Sequence, residues 1–228
     1  MSQPRFSIDD QVRALGVRGA FAIMTGLDNA GAASPALDDW RAELLARLQR
    51  DLSPGFIRSD PVLSGFRALH DAIGRSNKRF PASAEALVAL FQRKGIMPRI
   101  NPLVDIYNGV SLETRLSLGA HDLAFVDGDI ALRFTTGRES FEPLGATGPE
   151  PVAPGEYGYI DSSGALLCRL EHRQCERTRI TAATTGCFYI LQGNANTSRA
   201  LIEHALAHLI GLTTRFCGGR VEATWVAA

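Results

Sequence analysis

The sequence changes texture near Gly119, and that change constrains the fold more than any single motif. Upstream of it, apolar residues recur at helical spacing. Ser34-Pro35 offers a serine N-cap with proline at the first helical position, and Asp38 and Asp39 fall in the positive first turn. Leu37, Trp40, Leu44, Leu45 and Leu48 keep a helical period, and Pro54 is expected to end the run. Further helices are expected over Leu63 to Ile73 and Ala82 to Phe91, and Asn101-Pro102 is the clearest helix start in the chain. Downstream, Ile130, Leu132 and Phe134 alternate as a half-buried strand would. Gly145 to Gly158 is a glycine- and proline-rich connection, followed by short strand candidates at Tyr157–Ile160, Ala165–Arg169 and Cys187–Leu191. Ser198 to Phe216 reads as an amphipathic helix stopped by Gly218-Gly219, and Val221, Ala223 and Trp225 alternate in a last strand. Phe6 to Leu27 reads as extended. Helices first, strands later and a closing helix–strand pair predict an α+β domain.

Composition narrows the function classes. The chain has 228 residues, enough for one sizeable core, and no apolar run approaches the ~20 residues of a membrane helix. No apolar stretch follows a basic start at the N-terminus, and four cysteines in this length do not make a disulfide scaffold, so a cytoplasmic protein is expected. The 24 basic and 24 acidic residues balance, which argues against a chain wrapped in nucleic acid. The charge is nevertheless uneven. Arg75, Lys78, Arg79, Arg93, Lys94 and Arg99 face a single acid, Glu85, and four arginines lie between Arg169 and Arg179. Such stretches serve either as phosphate-binding faces or as solvated surface.

Generic chemistry is sparse. Dinucleotide and phosphate-loop glycine motifs are absent, and no Cys-x-x-Cys knuckle occurs. His204 and His208 share a helix face, but Glu203 precedes them, so the zinc-protease order is not met; no metal and no cofactor are expected. A cysteine nucleophile would need His121 or His172 beside a thiol in space. Asp127-Gly128-Asp129 reads as a turn, because no carboxylate ladder follows. Two clusters stand out. Asn101, Asp105 and Asn108 recur near one helix face, as either a buried polar network or a site lining. Arg173 to Thr181 (RQCERTRIT) sets arginine and hydroxyl groups in a short segment that suits an acid or phosphate, or else an edge strand of alternating charge.

At these clusters the chain resembles the B3/B4 domain of the phenylalanyl-tRNA synthetase beta subunit, and more closely the freestanding B3/B4 proteins. The resemblance rests on Asn77 to Pro81 (NKRFP), Ser83 to Leu87, NPLVDIYN from Asn101, Leu118 to Leu123 and Gly128 to Arg133. It continues through Pro154 to Glu156 and Arg173 to Thr181, while Phe6 to Asn29 is similar to the N-terminal extension of the freestanding proteins. It implies a single α+β domain with a mixed sheet core and flanking helices over 75–228, preceded by a strand-plus-helical extension over 1–74. It also implies editing: hydrolysis of the ester between a wrong amino acid and tRNA by a positioned water. The match is not complete. Tyr107 stands where the synthetase pattern has a small hydroxyl residue, and Gly119 where it has a pocket histidine. Its glutamate falls near Ile190 or Gln192, whereas Asp122 and Arg133 match.

An aminoacyl ester is already activated, so orienting water and stabilising the oxyanion suffice and no triad is needed. The resemblance makes His121, Asp122 and Asn108 the catalytic candidates. Tyr107, Gly119, Ala120, Arg173, Gln174, Arg177 and Thr178 are candidates for substrate contact. Lys78, Arg79, Arg93 and Lys94 would hold the tRNA backbone by charge. The alternatives are a tRNA- or amino-acid-binding protein on the same scaffold without chemistry, and a cysteine-dependent enzyme.

Overall fold

Helix ends in this protein are set by the side chains that cap them. The structure, a computed structural model, describes residues 4–30, 34–53 and 55–227. The segment read as extended is interrupted once: β1 (Phe6–Ile8) and β2 (Arg18–Leu27) flank α1 (Asp10–Ala14), whose start Asp9 caps by accepting from the Gln11 amide at 2.8 Å. Ser34 caps α2 (Pro35–Asp51), accepting from the Leu37 amide at 3.2 Å. This helix buries Leu37, Leu44 and Leu48 together with Arg41. Pro54, expected to end it, lies outside the described residues. A single turn, α3 (Phe56–Ser59), leads to α4 (Pro61–Ala72), capped by Asp60. Then α5 (Ser83–Lys94) stops at Gly95, whose φ of +66° a side chain would strain.

Asn101 caps α6 (Pro102–Thr114), which is buried on nearly every side. Its three polar residues separate. Asn101 Oδ1 accepts from the Val104 amide at 3.1 Å and from Asn29 Nδ2 at 3.0 Å. Asp105 is buried against Arg41 at 2.5 Å and accepts from the Ile100 amide. Asn108 alone faces a cavity.

Beyond α6 come β3 (Ser117–Asp122), β4 (Ile130–Phe134), β5 (Tyr157–Asp161), β6 (Leu166–Arg169), β7 (Arg173–Gln174) and β8 (Gly186–Gly193). The long helix α7 (Arg199–Cys217) and β9 (Gly218–Ala227) complete the chain. Strands β1-β4-β5-β6-β7 form a mixed sheet, with β1 parallel to β4 and the rest antiparallel. Strands β3-β8-β2-β9 form a second, antiparallel sheet, so β2 lies between β8 and β9. Helices α6 and α7 pack on one face of the second sheet. Its other face meets the mixed sheet, where Phe6, Phe21 and Phe188 cluster. The α+β class is as expected, with the core shared between two sheets. Among the described residues no helix is long and apolar enough to cross a membrane.

Candidate active site

At the end of the sandwich where β7 lies over β3, the two sheets enclose a cavity of about 270 Å³. Tyr107 and Asn108 of α6, Gly119 of β3, Gln192 of β8 and Tyr159 of β5 line it, with Glu171 and His172 from the β6–β7 turn and Arg173 and Gln174 of β7. Leu170 enters that turn at φ +55°, a backbone angle that bulky residues rarely adopt. Gly119 leaves room for Gln174. A Cβ there would sit 2.2 Å from Gln174 Nε2, so the Gln174 carboxamide lies across the space a side chain would fill. The same Nε2 donates to the Ala120 carbonyl at 3.3 Å.

The inner wall is a polar network. Glu171, buried, accepts from the Tyr157 hydroxyl at 2.6 Å and from Gln192 Nε2 at 2.9 Å. Gln192 in turn accepts from the Tyr159 hydroxyl at 2.7 Å. Behind Glu171 stands His70 of α4, fully buried, with Nε2 at 2.6 Å from Glu171 Oε1. Burial opposes a charge on His70, but the contact and charge of Glu171 outweigh it and raise the imidazole pKa. Cys168 also lines the cavity; burial pushes its thiol far above the ordinary range, so it remains protonated and unreactive. All four cysteines are free and buried.

One cationic side chain, Arg173, lines the cavity. Arg173 is exposed and pairs with no carboxylate among the described residues, and the same holds for Lys78 and Arg79. The 78–83 segment is held against the β6–β7 turn: Phe80 meets the His172 ring edge-on at 5.6 Å, His172 Nδ1 donates to the Pro81 carbonyl at 2.8 Å, and the Ser83 amide donates to the Glu171 carbonyl. Burial lowers the His172 pKa, leaving it neutral. Arg93 and Lys94 sit at the far end of α5, about 15 Å along its axis from Ser83.

Tyr107, Asn108, Gly119, Arg173 and Gln174 thus come together, and Ala120 joins through its carbonyl. His121, Asp122, Arg177 and Thr178 do not line this cavity. His121 is fully buried and hydrogen-bonded to Thr178 at 2.7 Å, and burial, with the charge of Arg177, pushes its pKa down to about 3. Thr178 also meets Cys175 Sγ at 3.0 Å. Asp122 accepts from Thr184 at 2.6 Å and from the Ala124 amide, and Arg177 pairs with Asp127 and Asp161. Sequence reasoning passed over His70, Glu171 and Gln192 as site residues. The carboxylate absent from positions 190 and 192 reaches the same wall from Glu171, gripped by Gln192 itself. His204 and His208 stack at 6.1 Å, with His208 bonded to Glu113. Among the described residues no three His, Cys, Asp or Glu side chains converge as metal ligands.

An α+β sandwich with a polar-walled cavity at one end is the class of protein these features define. Residues 67–218 match the family model of the B3/4 domain, about two thirds of the chain, and the protein belongs to that family. The fold is similar to the crystal structure of an N-terminal fragment of the phenylalanyl-tRNA synthetase beta-subunit from Pyrococcus horikoshii, with a TM-score of 0.53 and 16% sequence identity. That alignment covers 97% of this chain and 51% of the fragment, so this chain spans about half its length. Comparison with curated proteins gives no match.

Proposed function

We propose that this protein is a trans-acting aminoacyl-tRNA deacylase, hydrolysing the ester of mischarged tRNA with a water positioned in the B3/4 cavity. The observation that carries the reading is a cavity sized for an amino acid with the unpaired Arg173 in its lining and Lys78 and Arg79 in the segment packed against the β6–β7 turn. At about 270 Å³ it falls just below the ~300–1,000 Å³ of pockets for drug-sized ligands, so it takes an aminoacyl group and not a run of nucleotides. Asn108 and Gln174 offer amide donors and acceptors for the ester carbonyl and the attacking water. Lys78, Arg79 and Arg173 attract the phosphates of the tRNA 3′ end. His121, Asp122 and Thr178 act by fixing the backbone of β3 that carries Gly119. A covalent route through Cys168 is disfavoured by its protonated thiol.

Gly119, in place of the histidine of the synthetase pattern, favours a second reading: a binding protein that leaves the ester intact. Loss of ester from a panel of mischarged and correctly charged tRNAs separates the two. Selective turnover of one mischarged species is the expected result. Intact esters with protein in excess, together with salt-dependent tRNA affinity, would establish the binder instead.

A further inference from the structure

We propose that His172 is the general base of the cavity: its Nε2 takes the proton from the water that attacks the ester. This deepens the deacylase reading and rests on it for the identity of the ester. His172 is the one histidine lining the cavity among the described residues. Its tautomer follows from its partner. The Pro81 carbonyl, 2.8 Å from Nδ1, can only accept, so Nδ1 carries the hydrogen and the lone pair of the neutral ring is on Nε2. That nitrogen has no protein partner among the described residues, and unlike those of His70 and His121 it is not sealed from solvent. The ring is also held in place. Phe80 meets it edge-on at 5.6 Å, and the Arg169 guanidinium lies over Phe80 at 4.9 Å. Glu156 holds that guanidinium through two hydrogen bonds of 2.6 and 2.8 Å, and the His172 amide donates to the Arg169 carbonyl at 3.1 Å. A base fixed in this way loses little freedom when the water arrives.

The surroundings keep the ring in its basic form. Burial opposes a proton on it, as do the charges of Arg173 on β7 and His70 on α4, while the Pro81 carbonyl and Glu171 favour one; the balance lies below the ordinary 6.5. Arg79 and Arg169 stand over Phe80, the ring's other neighbour. At neutral pH the Nε2 lone pair is therefore available. Water adds to the ester carbonyl carbon as Nε2 takes its proton, which leaves a tetrahedral intermediate and an imidazolium. The amides of Asn108 and Gln174 remain for the carbonyl oxygen. The intermediate then expels the ribose oxygen, which takes the proton from Nε2. The amino acid leaves as its carboxylic acid and loses a proton to solvent, the ring ends neutral, and nothing is oxidised or reduced.

The test follows loss of ester from the tRNA panel between pH 5 and pH 8, beside p-nitrophenyl esters of the same amino acids, which carry no nucleotide. With spontaneous loss subtracted, turnover should rise with pH to a plateau, with an inflection below 6.5. His172→Asn keeps an amide N–H for the Pro81 carbonyl and lacks the outer nitrogen. It should lower kcat about 100-fold or more, leave KM near its wild-type value and abolish the inflection. His172→Ala should regain rate with added imidazole, which a merely structural role would not allow. A rate independent of pH in the wild-type protein overturns the proposal even if neither variant folds. Cleavage of tRNA esters by His172→Asn at the wild-type rate overturns it and keeps the deacylase reading. Intact tRNA esters with His172-dependent cleavage of the p-nitrophenyl esters keep it and remove that reading. If both kinds of ester stay intact, both are overturned.

Discussion

The two ends of the gap between the sheets hold opposite chemistry. Where β1 lies over β2 and β8, Phe6, Phe21 and Phe188 fill the space, with ring centroids 3.9 to 6.0 Å apart. Where β7 lies over β3, the gap remains open, and Glu171, Gln192 and His70 satisfy one another across it. Tyr159 belongs to both: its ring is 6.1 Å from Phe21, and its hydroxyl donates to Gln192. The filled end holds the sheets at a fixed separation. That separation, carried to the other end with smaller side chains and one glycine, leaves a chamber. Stability and site are thus partitioned along one interface, and the partition can be tested.

The largest effect is expected at the filled end. Phe188→Ala should cost about 3–5 kcal/mol in urea unfolding, since it removes a fully buried ring with little room to collapse. A cost under 1 kcal/mol would break the contrast. At the open end, His70→Ala strands a buried carboxylate and should cost about 3 kcal/mol, whereas the paired change His70→Leu with Glu171→Leu should recover much of the loss. If the double variant is no better than the single one, the network is not an electrostatic pair.

Acid sharpens the comparison because the two fully buried histidines titrate in opposite directions. His121 has its folded pKa depressed from 6.5 to about 3, so the unfolded chain binds a proton that the native state refuses. Its contribution to stability is full above pH 6.5 and declines as pH falls towards 3, by on the order of 1.4 kcal/mol per pH unit. His70 has its folded pKa raised, so its pairing stabilises below pH 6.5 and is lost as pH rises through the folded value. Unfolding at pH 7 and pH 4.5 should therefore show His121→Asn flattening the acid loss and His70→Asn steepening it. Gly119→Ala should cost under about 1 kcal/mol, because the Gln174 carboxamide ends a flexible side chain and can swing aside, and it should slow loss of ester from mischarged tRNA more than it weakens the fold. The smallest change in stability, under about 0.5 kcal/mol, is expected for Arg173→Ala; it should reduce the salt dependence of tRNA binding by about one unit of slope.

Much of the frame was legible because capping is local. Ser34 and Asn101 each accept from the amide three residues on, as their sequence context promised, and Ser198 does the same at the start of α7. The strand β3 was not legible as a strand: all six residues of SLGAHD are buried, so no alternation marks it. Within the site, Asn108 could be placed because it sits on a recognisable helix. Glu171 could not, because in LLCRLEHRQ a glutamate among arginines reads as surface charge. Its partners come from α4, β5 and β8, and only the tertiary fold brings them to one point. His121 drew attention for the converse reason: a lone histidine in a short motif carries no mark of the threonine that occupies it.

The position of β2 between β8 and β9 has a consequence for biosynthesis. This strand emerges from the ribosome long before its first partner, β8, which begins at Gly186. At ~5–20 residues per second, it waits on the order of ten to thirty seconds as an unpaired apolar segment with Arg18 as its only charge. Because such distant pairings must form before the sheet closes, folding is slow relative to a helical protein of this length. A nascent chain stalled before β8 should recruit a holdase chaperone to residues 18–27, and one released after β9 should not.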